Sequence, residues 1–330
     1  MEYLGKHTCL SYIIDRPEVW SKIPYLKEND GRAPPFVIVV GDRRRVGKVA
    51  ERLSSPVFLD EQAARISSEI DSWEHSPLTK PEYGRIAMAL GTFRSVPLLV
   101  AEIQMGSFAA QIILGEILSD NLISREYRVG QEKFDASSKY VIRVGTCGGI
   151  NSPNREYIRE GDIVNSTFAI GVSNAVLQST IQLDTWRMDD LESLRRTWKS
   201  LGPEFSVTQD GHPRVECAPD IVAAINKAAD LIGIERCFKG GAVTKDSLYA
   251  ELSEEMFTDL CLQYDARSTE DALSTIGVVC KKKRAEFGMV AGVIGLIPGS
   301  SFVESEPVKS QAEDNAISVA LEAMCAVAGV

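Results

Sequence analysis

The sequence lacks any excess of basic residues. It has 36 lysines and arginines against 46 aspartates and glutamates, which gives a net charge of −10. A chain of this charge repels polyanions, so general binding to nucleic acid or to an anionic membrane surface is not expected. Any phosphate group that the protein binds must therefore be held by positive charge concentrated at one place.

Cysteine pairs and long apolar runs are also missing. The seven cysteines stand at positions 9, 147, 217, 237, 261, 280 and 325, without the close pairing typical of zinc ligands. This usage favours free thiols in a reducing compartment, so we expect neither disulfides nor a metal site. The chain also lacks a basic leader and a run of 18 uninterrupted apolar residues. We therefore expect a cytosolic protein that does not enter a membrane.

No repeat, low-complexity tract or flexible linker divides the chain, which favours one domain over residues 1–330. Patterns typical of strands and helices alternate along it, which predicts an α/β fold with a largely parallel sheet. The pattern predicts strands at 36–40, 160–172 and 288–297, a strand that passes into a glycine-rich turn within 139–150, and helices at 218–234, 270–284 and 310–330. We interpret 1–33 as an N-terminal extension, and 62–82, 119–138 and 184–213 as loop insertions.

Arg143 lies in the apolar stretch "VIRVGTCGGI", where the glycines predict a turn after the strand. A guanidinium cannot shed its proton, so a buried arginine needs an anionic partner or a route to water. Three roles remain open: an ion pair with a carboxylate, a place on a solvent-facing edge strand, or binding of an anionic ligand. Glycines favour the last role because they let backbone N–H groups approach a ligand closely.

Two further arginines stand beside glycines at predicted strand ends, namely Arg45 after Gly41 and Arg85 after Gly84. Ligands collect at the carboxyl ends of parallel strands, so the three arginines are candidates to converge on a phosphate or sulfate. The helix N-termini that follow Gly41 and Gly106 would add anion-binding N–H groups.

Four segments, in this order, resemble the nucleoside phosphorylase family, and are most similar to its uridine phosphorylases: "VIVVGDRRRVGKVA", "VIRVGTCGGI", "EGDIVNSTFAI" and "GMVAGVI". The resemblance extends from about residue 36 to residue 329. It implies the family's fold, a single domain with a mixed sheet flanked by helices. It also implies that a nucleoside and inorganic phosphate react to give ribose 1-phosphate and a free base. Phosphate is then a co-substrate, and no cofactor or metal is required.

The resemblance implies a phosphate site formed by Gly41, Arg45, Arg85, Arg143 and Thr146. The three arginines would carry the catalysis, because they hold and orient the nucleophile. The family's first loop has a proline where this chain has Arg43. Arg85 would reach the site from a neighbouring subunit, which implies a homodimer. His7 matches a histidine near the sugar 5′-hydroxyl only loosely, and an ordinary surface histidine explains it equally well.

The ribose and base motifs of the family are altered here. In "QYDARSTEDALSTIG" the glutamate-methionine-glutamate triplet is absent, and Glu270, then Asp271, are the remaining ribose candidates together with Thr146. The alternative is that the two acids stabilise a helix N-terminus. For the base, the resemblance implies Cys147, Gly148 and Leu248. Leu252 and Glu254 stand where a glutamine and an arginine read uracil in the family.

No acid stands directly after the last core strand in "GVIGLIPGSS", where the purine enzymes of the family place an aspartate that protonates the leaving base. Uracil can leave as a delocalised anion without that acid. The sequence therefore predicts a uridine phosphorylase of pyrimidine salvage. The alternatives are a purine or broad-specificity phosphorylase, a hydrolytic nucleosidase, and a non-catalytic binding or storage protein.

Overall fold

A computed structural model describes residues 9–60, 86–172, 196, 198–200, 202–209, 211–245, 254–297 and 305–330. Its helices are α1 (Cys9–Ile14), α2 (Pro17–Trp20), α3 (Pro24–Lys27), α4 (Arg43–Ala50), α5 (Ser107–Ile117), α6 (Pro219–Leu231), α7 (Glu254–Tyr264), α8 (Leu273–Lys282) and α9 (Glu306–Ala328). Its strands are β1 (Phe36–Val40), β2 (Ser54–Phe58), β3 (Met88–Phe93), β4 (Val96–Glu102), β5 (Glu126–Val129), β6 (Glu132–Asp135), β7 (Lys139–Ile150), β8 (Ile163–Gly171), β9 (Phe205–Val207), β10 (Pro213–Glu216), β11 (Cys237–Thr244), β12 (Ala266–Glu270) and β13 (Ala285–Ile297).

The main sheet is mixed: its parallel pairs lie at the centre, where β7–β12 and β8–β13 nevertheless pair antiparallel. Its strand order is β2-β3-β4-β1-β7-β12-β11-β8-β10-β9, and β13 pairs with both β7 and β8. Strand β1 runs parallel to β4 and β7, whereas β2, β3, β9 and β10 pair antiparallel at the two ends. This arrangement confirms the α/β fold with a mixed sheet that the sequence predicts.

Helices cover both faces of the sheet, as the apolar run of β1 requires. Val37 and Val39 belong to a core cluster that contains residues of α5 and α8. Ile38 and Val40 belong to a second cluster, which contains residues of α4, α6 and α9. Since successive side chains of a strand point to opposite faces, α4 and α9 share one face of the sheet, and α5 and α8 share the other.

Five strands pair in a closed ring. Strand β7 pairs with β13, β13 with β8, β8 with β11, β11 with β12, and β12 returns to β7. The last step joins Ser268 to Gly149 and Thr269 to Gly148. Because β7 continues through these pairs to Ile150, the predicted turn at Gly145–Gly149 is wrong.

The glycines of β7 serve close packing. A Cβ on Gly149 would lie 2.9 Å from Ile158 Cγ2 and 3.1 Å from Val293 Cγ1, and a Cβ on Gly148 would lie 2.9 Å from Thr269 Cγ2. Glycine suits turns and close contacts alike, and the sequence pattern alone does not distinguish the two uses.

The segments interpreted as extensions and insertions differ in what the structure describes of them. In the N-terminal segment, Leu10, Ile13 and Leu26 are fully buried in the core shared with α5 and α8. The segment 119–138 contains the two-stranded sheet of β5 and β6. The predicted insertion at 62–82 and the predicted site residues His7, Arg85 and Leu248 lie outside the described residues.

None of the helices in the described ranges combines the length and apolar character needed to cross a bilayer.

Candidate active site

Gly41 lies between two guanidinium groups. A Cβ on Gly41 would stand 3.2 Å from Arg45 Nη1 and 3.3 Å from Arg143 Nη2. The parallel strands β1 and β7 are in register at Val40 and Val144, so Gly41, directly after β1, lies beside Gly145 of β7. The guanidinium of Arg143 also covers Gly145, where a Cβ would stand 3.3 Å from its Cζ. The sequence-predicted phosphate residues Gly41, Arg45 and Arg143 therefore lie together.

Arg143 is a buried cation whose Nε remains available as a hydrogen-bond donor. The residue is 4% exposed, its Nη1 donates to the Val144 carbonyl at 2.8 Å, and its Nη2 lies 3.6 Å from Asp271 Oδ1. Within the part of the chain that the structure describes, its buried Nε has no hydrogen-bond partner. Burial lowers the pKa of Arg143, and the charges of Asp271 and Glu270 oppose this. The ion pair with a carboxylate is thus present, and the free donor retains capacity for an additional anion.

Arg45 reaches the same place from the first turn of α4. Its Nη2 donates to Thr146 Oγ1 at 3.2 Å, and its Nη1 lies 3.3 Å from Asp42 Oδ2. Its Nε donates to Glu313 of α9 at 2.5 Å. Thr146, another of the five predicted phosphate residues, is thereby joined to Arg45 beside Gly41.

The two helix N-termini that the sequence offers as anion-binding groups bond to carboxylates of the chain itself. Asp42 caps α4 and accepts from the Arg45 N–H at 3.0 Å. Asp271 accepts from the Gly106 N–H at the start of α5 at 2.9 Å. Capping satisfies the free N–H groups of a helix, so these donors already have anionic partners.

Glu270 ends β12, a strand that the sequence does not predict, and helix α8 begins at Leu273 rather than at 270. The Glu270 carboxylate accepts from the Ala272 N–H at 2.7 Å, from the Leu273 N–H at 2.8 Å and from Thr244 Oγ1 at 2.5 Å. These bonds are those of an acid that stabilises a helix start, the alternative role left open above. Its ribose role stays a prediction. Asp271, with 35% of its side chain exposed, lies nearer to Arg143.

Burial and the neighbouring charge of Asp271 raise the pKa of Glu270 to about 7 from an ordinary 4.5. Between about pH 4.5 and pH 7 the Glu270 carboxyl is therefore protonated in the folded protein and ionised in the unfolded chain. The resulting stabilisation is complete below about pH 4.5 and is lost as the pH rises through about 7. Glu270→Gln is expected to flatten the dependence of urea midpoint on pH over this window. The exposed Glu306→Gln serves as the control, and an equally steep profile in both variants would contradict the assignment.

The predicted base residues are only partly described. Cys147 is buried in the core, and burial raises the pKa of its thiol. Gly148 pairs with Thr269 of β12. Arg267 is buried in β12 and donates to the carbonyl of Glu156. Leu248 and Leu252 lie outside the described residues, so the base contacts stay predictions.

Sequence reasoning missed Glu313, which touches Arg45 from 268 positions away in the chain. A signal was present, because an acid at 313 interrupts the apolar stripe formed by Ala312, Ala316, Val319 and Ala320. A carboxylate on the buried side of a helix needs a cationic partner. Among the described residues, no group of three or more histidine, cysteine, aspartate or glutamate side chains is placed to bind a metal ion.

Comparison of sequences identifies no relative, since no protein-family model and no curated protein matches the chain. Comparison of structures, in contrast, finds solved proteins with a similar fold. Purine nucleoside phosphorylase from Toxoplasma gondii, solved with immucillin-H, superposes with a TM-score of 0.59 at 17% identity, covering 90% of this chain and 92% of that one. A Trypanosoma brucei nucleoside phosphorylase with uridine phosphorylase activity gives 0.59 at 17% identity, covering 89% and 94%.

Uridine phosphorylase from Vibrio fischeri gives a TM-score of 0.60 at 14% identity, covering 91% of this chain and 93% of that one. These three proteins match over nearly their full lengths. The chain therefore has the fold of the nucleoside phosphorylases, which confirms the fold expected from the four sequence segments.

Proposed function

We propose that the protein is a nucleoside phosphorylase, a pentosyltransferase that converts a nucleoside and phosphate into ribose 1-phosphate and a free base. The observation that carries this proposal is the convergence of Arg45 and Arg143 on Gly41, next to the Thr146 hydroxyl. The fold shared with purine and uridine phosphorylases supports it. A hydrolase, which uses water, has no need of two cations at this position.

The chemistry follows from the charges of these groups. The buried Nε of Arg143 and the Nη atoms of Arg45 donate to phosphate oxygens, and the Thr146 hydroxyl adds a further hydrogen bond. Holding the phosphate in one orientation aims an oxygen at the anomeric carbon and removes much of the entropic barrier. The ribosyl group becomes cationic as the bond to the base breaks, and the bound phosphate stabilises that charge.

Asp271 shapes this site through its charge. It lies 3.6 Å from Arg143 and holds the Gly106 N–H, so a phosphate bound at Arg143 meets a carboxylate on one side. Repulsion between like charges directs the phosphate away from Asp271 and towards Gly41 and Arg45. A half-exposed carboxylate at this place also suits contact with ribose hydroxyls, which supports its proposed ribose role over that of Glu270.

We propose uridine as the preferred substrate and the cytosol as the site of the reaction. The absence of an acid directly after β13 in the sequence supports a pyrimidine, because a departing purine benefits from protonation. The six cysteines whose side chains the structure describes are free, in keeping with a reducing compartment. Pyrimidine salvage is the pathway class that this reaction serves.

The proposal is tested by following base release from uridine, deoxyuridine, inosine and adenosine, each with and without phosphate. We expect release to depend on phosphate and to be fastest with uridine. Release that is independent of phosphate would identify a nucleosidase instead. Inosine as the best substrate would indicate a purine enzyme, and no release from any nucleoside would indicate a binding or storage protein.

We also propose that the protein functions as a homodimer with a shared active site. Phe108 and Ile112, one turn apart on α5, form an apolar stripe together with Met105, which lies just before the helix; their exposed fractions are 58%, 56% and 79%. Large apolar side chains on one face of a helix favour contact with another protein surface. This stripe adjoins Gly106 and Asp271, so a partner docked on it lies next to the site.

Phe108→Asp is expected to shift the protein from dimer to monomer and to reduce turnover together with dimerisation, because a charge in an apolar contact disfavours association. Sedimentation velocity measures the first effect, and steady-state assays over a range of protein concentrations measure the second. Leu231→Asp changes an exposed apolar residue on α6 and serves as the control. A wild-type protein that sediments as a monomer at assay concentration and remains active would contradict the shared site.

A further inference from the structure

We infer that Glu313 is a positioning residue for phosphate binding, which acts by fixing the orientation of Arg45. This inference rests on the proposed function, since it assumes that Arg45 binds phosphate. It adds a residue from α9, far from the segments that resemble known phosphorylases at the phosphate site.

One buried carboxylate forms ion pairs with three cationic side chains of α4. Glu313, whose side chain is 3% exposed, accepts from Arg45 Nε at 2.5 Å, from Arg44 Nη2 at 2.9 Å and from Lys48 Nζ at 3.0 Å. Burial would raise the pKa of Glu313, but the hydrogen bond from Lys48 and the charge of Arg45 hold it below its usual range. The carboxylate is therefore ionised at neutral pH, and it binds α9 to the helix that carries the phosphate arginine.

The way in which Glu313 binds Arg45 decides where the remaining donors point. A guanidinium is planar, so fixing Nε fixes the plane and both Nη groups. With Nε on Glu313, Nη2 reaches Thr146 at 3.2 Å and Nη1 faces Gly41. Both targets are predicted phosphate residues. Glu313 thus engages Nε, while Nη2 is directed to Thr146 and Nη1 to Gly41 and Asp42.

The backbone brings Glu313 to this place through Gly292. In β13, Gly292 is paired with Thr146 of β7. A Cβ on Gly292 would lie 2.6 Å from the backbone carbon of Ala312, so α9 rests directly on the strand beside Thr146. Glu313 follows Ala312 and therefore stands over the phosphate residues. The contact requires a glycine because no side chain fits between strand and helix.

If Glu313 only held the two helices together, loss of the neighbouring carboxylate would have a similar effect on phosphate binding. Asp314, the next residue, also forms ion pairs, with Lys48 of α4 at 3.3 Å and with Arg52, just after α4, at 3.2 Å. Loss of Asp314 removes ion pairs between the same two helices without touching Arg45. Asp314→Asn is therefore a matched control for Glu313→Gln, since each substitution replaces one carboxylate by its amide and keeps the shape.

The test is a cycle of Glu313→Gln, Arg45→Ala and the double variant, with the KM for phosphate and the KM for uridine measured separately. We expect Glu313→Gln to raise the phosphate KM about tenfold, as for coupled neighbours, and to leave the uridine KM unchanged. In the Arg45→Ala background the same substitution is expected to add nothing, because the residue through which it acts is gone. Asp314→Asn is expected to leave both KM values unchanged.

The inference is overturned if Glu313→Gln keeps the wild-type phosphate KM, or if its effect is undiminished when Arg45 is alanine. Equal losses in Glu313→Gln and Asp314→Asn would also overturn it, because they would show a general loosening of the two helices. Failure of the proposed function would look different, because the wild-type protein would then show no phosphate-dependent turnover. That result would contradict both the proposed function and the inference about Glu313.

Discussion

Replacement of Arg143 by glutamine is expected to lower kcat/KM for phosphate by about 10²–10³-fold, the loss typical of a removed donor in a preorganised site. Arg143 is buried, and its Nε lacks a partner among the described residues. Glutamine retains hydrogen-bonding capacity but lacks the positive charge and the planar fork that match phosphate oxygens. The loss should therefore appear in the phosphate KM and in kcat together.

The control for this variant is Arg94→Gln, because Arg94 has 57% of its side chain exposed and pairs with Glu322, outside the group of residues proposed to bind phosphate. It should retain the activity of the wild type. Thermal unfolding of both variants shows whether Arg143→Gln is folded, as the substitution removes a buried positive charge that interacts with Asp271 and Glu270. A folded Arg143→Gln with unchanged phosphate affinity would show that Arg143 serves only as the ion-pair partner of Asp271.

Gly292→Ala is expected to destabilise the protein by about 3 kcal/mol, because it overpacks a contact between backbones. The added Cβ would lie 2.6 Å from the Ala312 carbon and 2.7 Å from the Ala312 oxygen, neither of which can move without displacing α9. A displaced α9 takes Glu313 away from Arg45. The phosphate KM of the folded fraction should therefore rise as well.

Urea unfolding measures the stability of this variant, and Gly115→Ala is the matched control. A Cβ on Gly115 would meet nothing within 4 Å. Alanine inside a helix is favoured over glycine, so Gly115→Ala should stabilise the protein by roughly 0.5–1 kcal/mol. A Gly292→Ala protein that unfolds at the wild-type urea concentration would disprove the close contact between β13 and α9.

The sequence contains enough information to identify two arginines as candidates for a phosphate site. Arg45 and Arg143 are recognisable because each follows or occupies an apolar β-branched run next to glycine, and a buried arginine needs an anion. The register of β1 and β7 then places them together. The mixed α/β fold is predictable for a similar reason, since alternation of strand and helix patterns is a local property of the chain.

The parts that escaped prediction depend on contacts between distant segments. Strand β12 reads "ARSTE", a polar sequence that is fully buried because it closes the ring between β7 and β11. No local pattern marks such a strand, because its burial follows from its neighbours and not from its own residues. The helix start at Leu273 and the bonds of Glu270 follow from that strand.

The segment Gly145–Gly149 illustrates a second reason why the sequence alone predicts the structure incompletely. The segment reads as a turn because glycine favours turns, yet these residues continue β7 and allow β12, β13 and Ile158 to approach closely. Glu313 shows a third limit, because a single acid in an apolar stripe indicates that a cation lies opposite it and does not indicate which one. The partner is defined only when α9 packs over β13.

The most direct measurement of the central proposal is the amount of ribose 1-phosphate formed for each uracil released, determined as the phosphate concentration is increased from zero at saturating uridine. A phosphorylase produces one ribose 1-phosphate for each uracil, and its rate falls to zero without phosphate. Release of uracil without phosphate, or release accompanied by free ribose, would contradict the proposed role of Arg45 and Arg143 as ligands of the nucleophile.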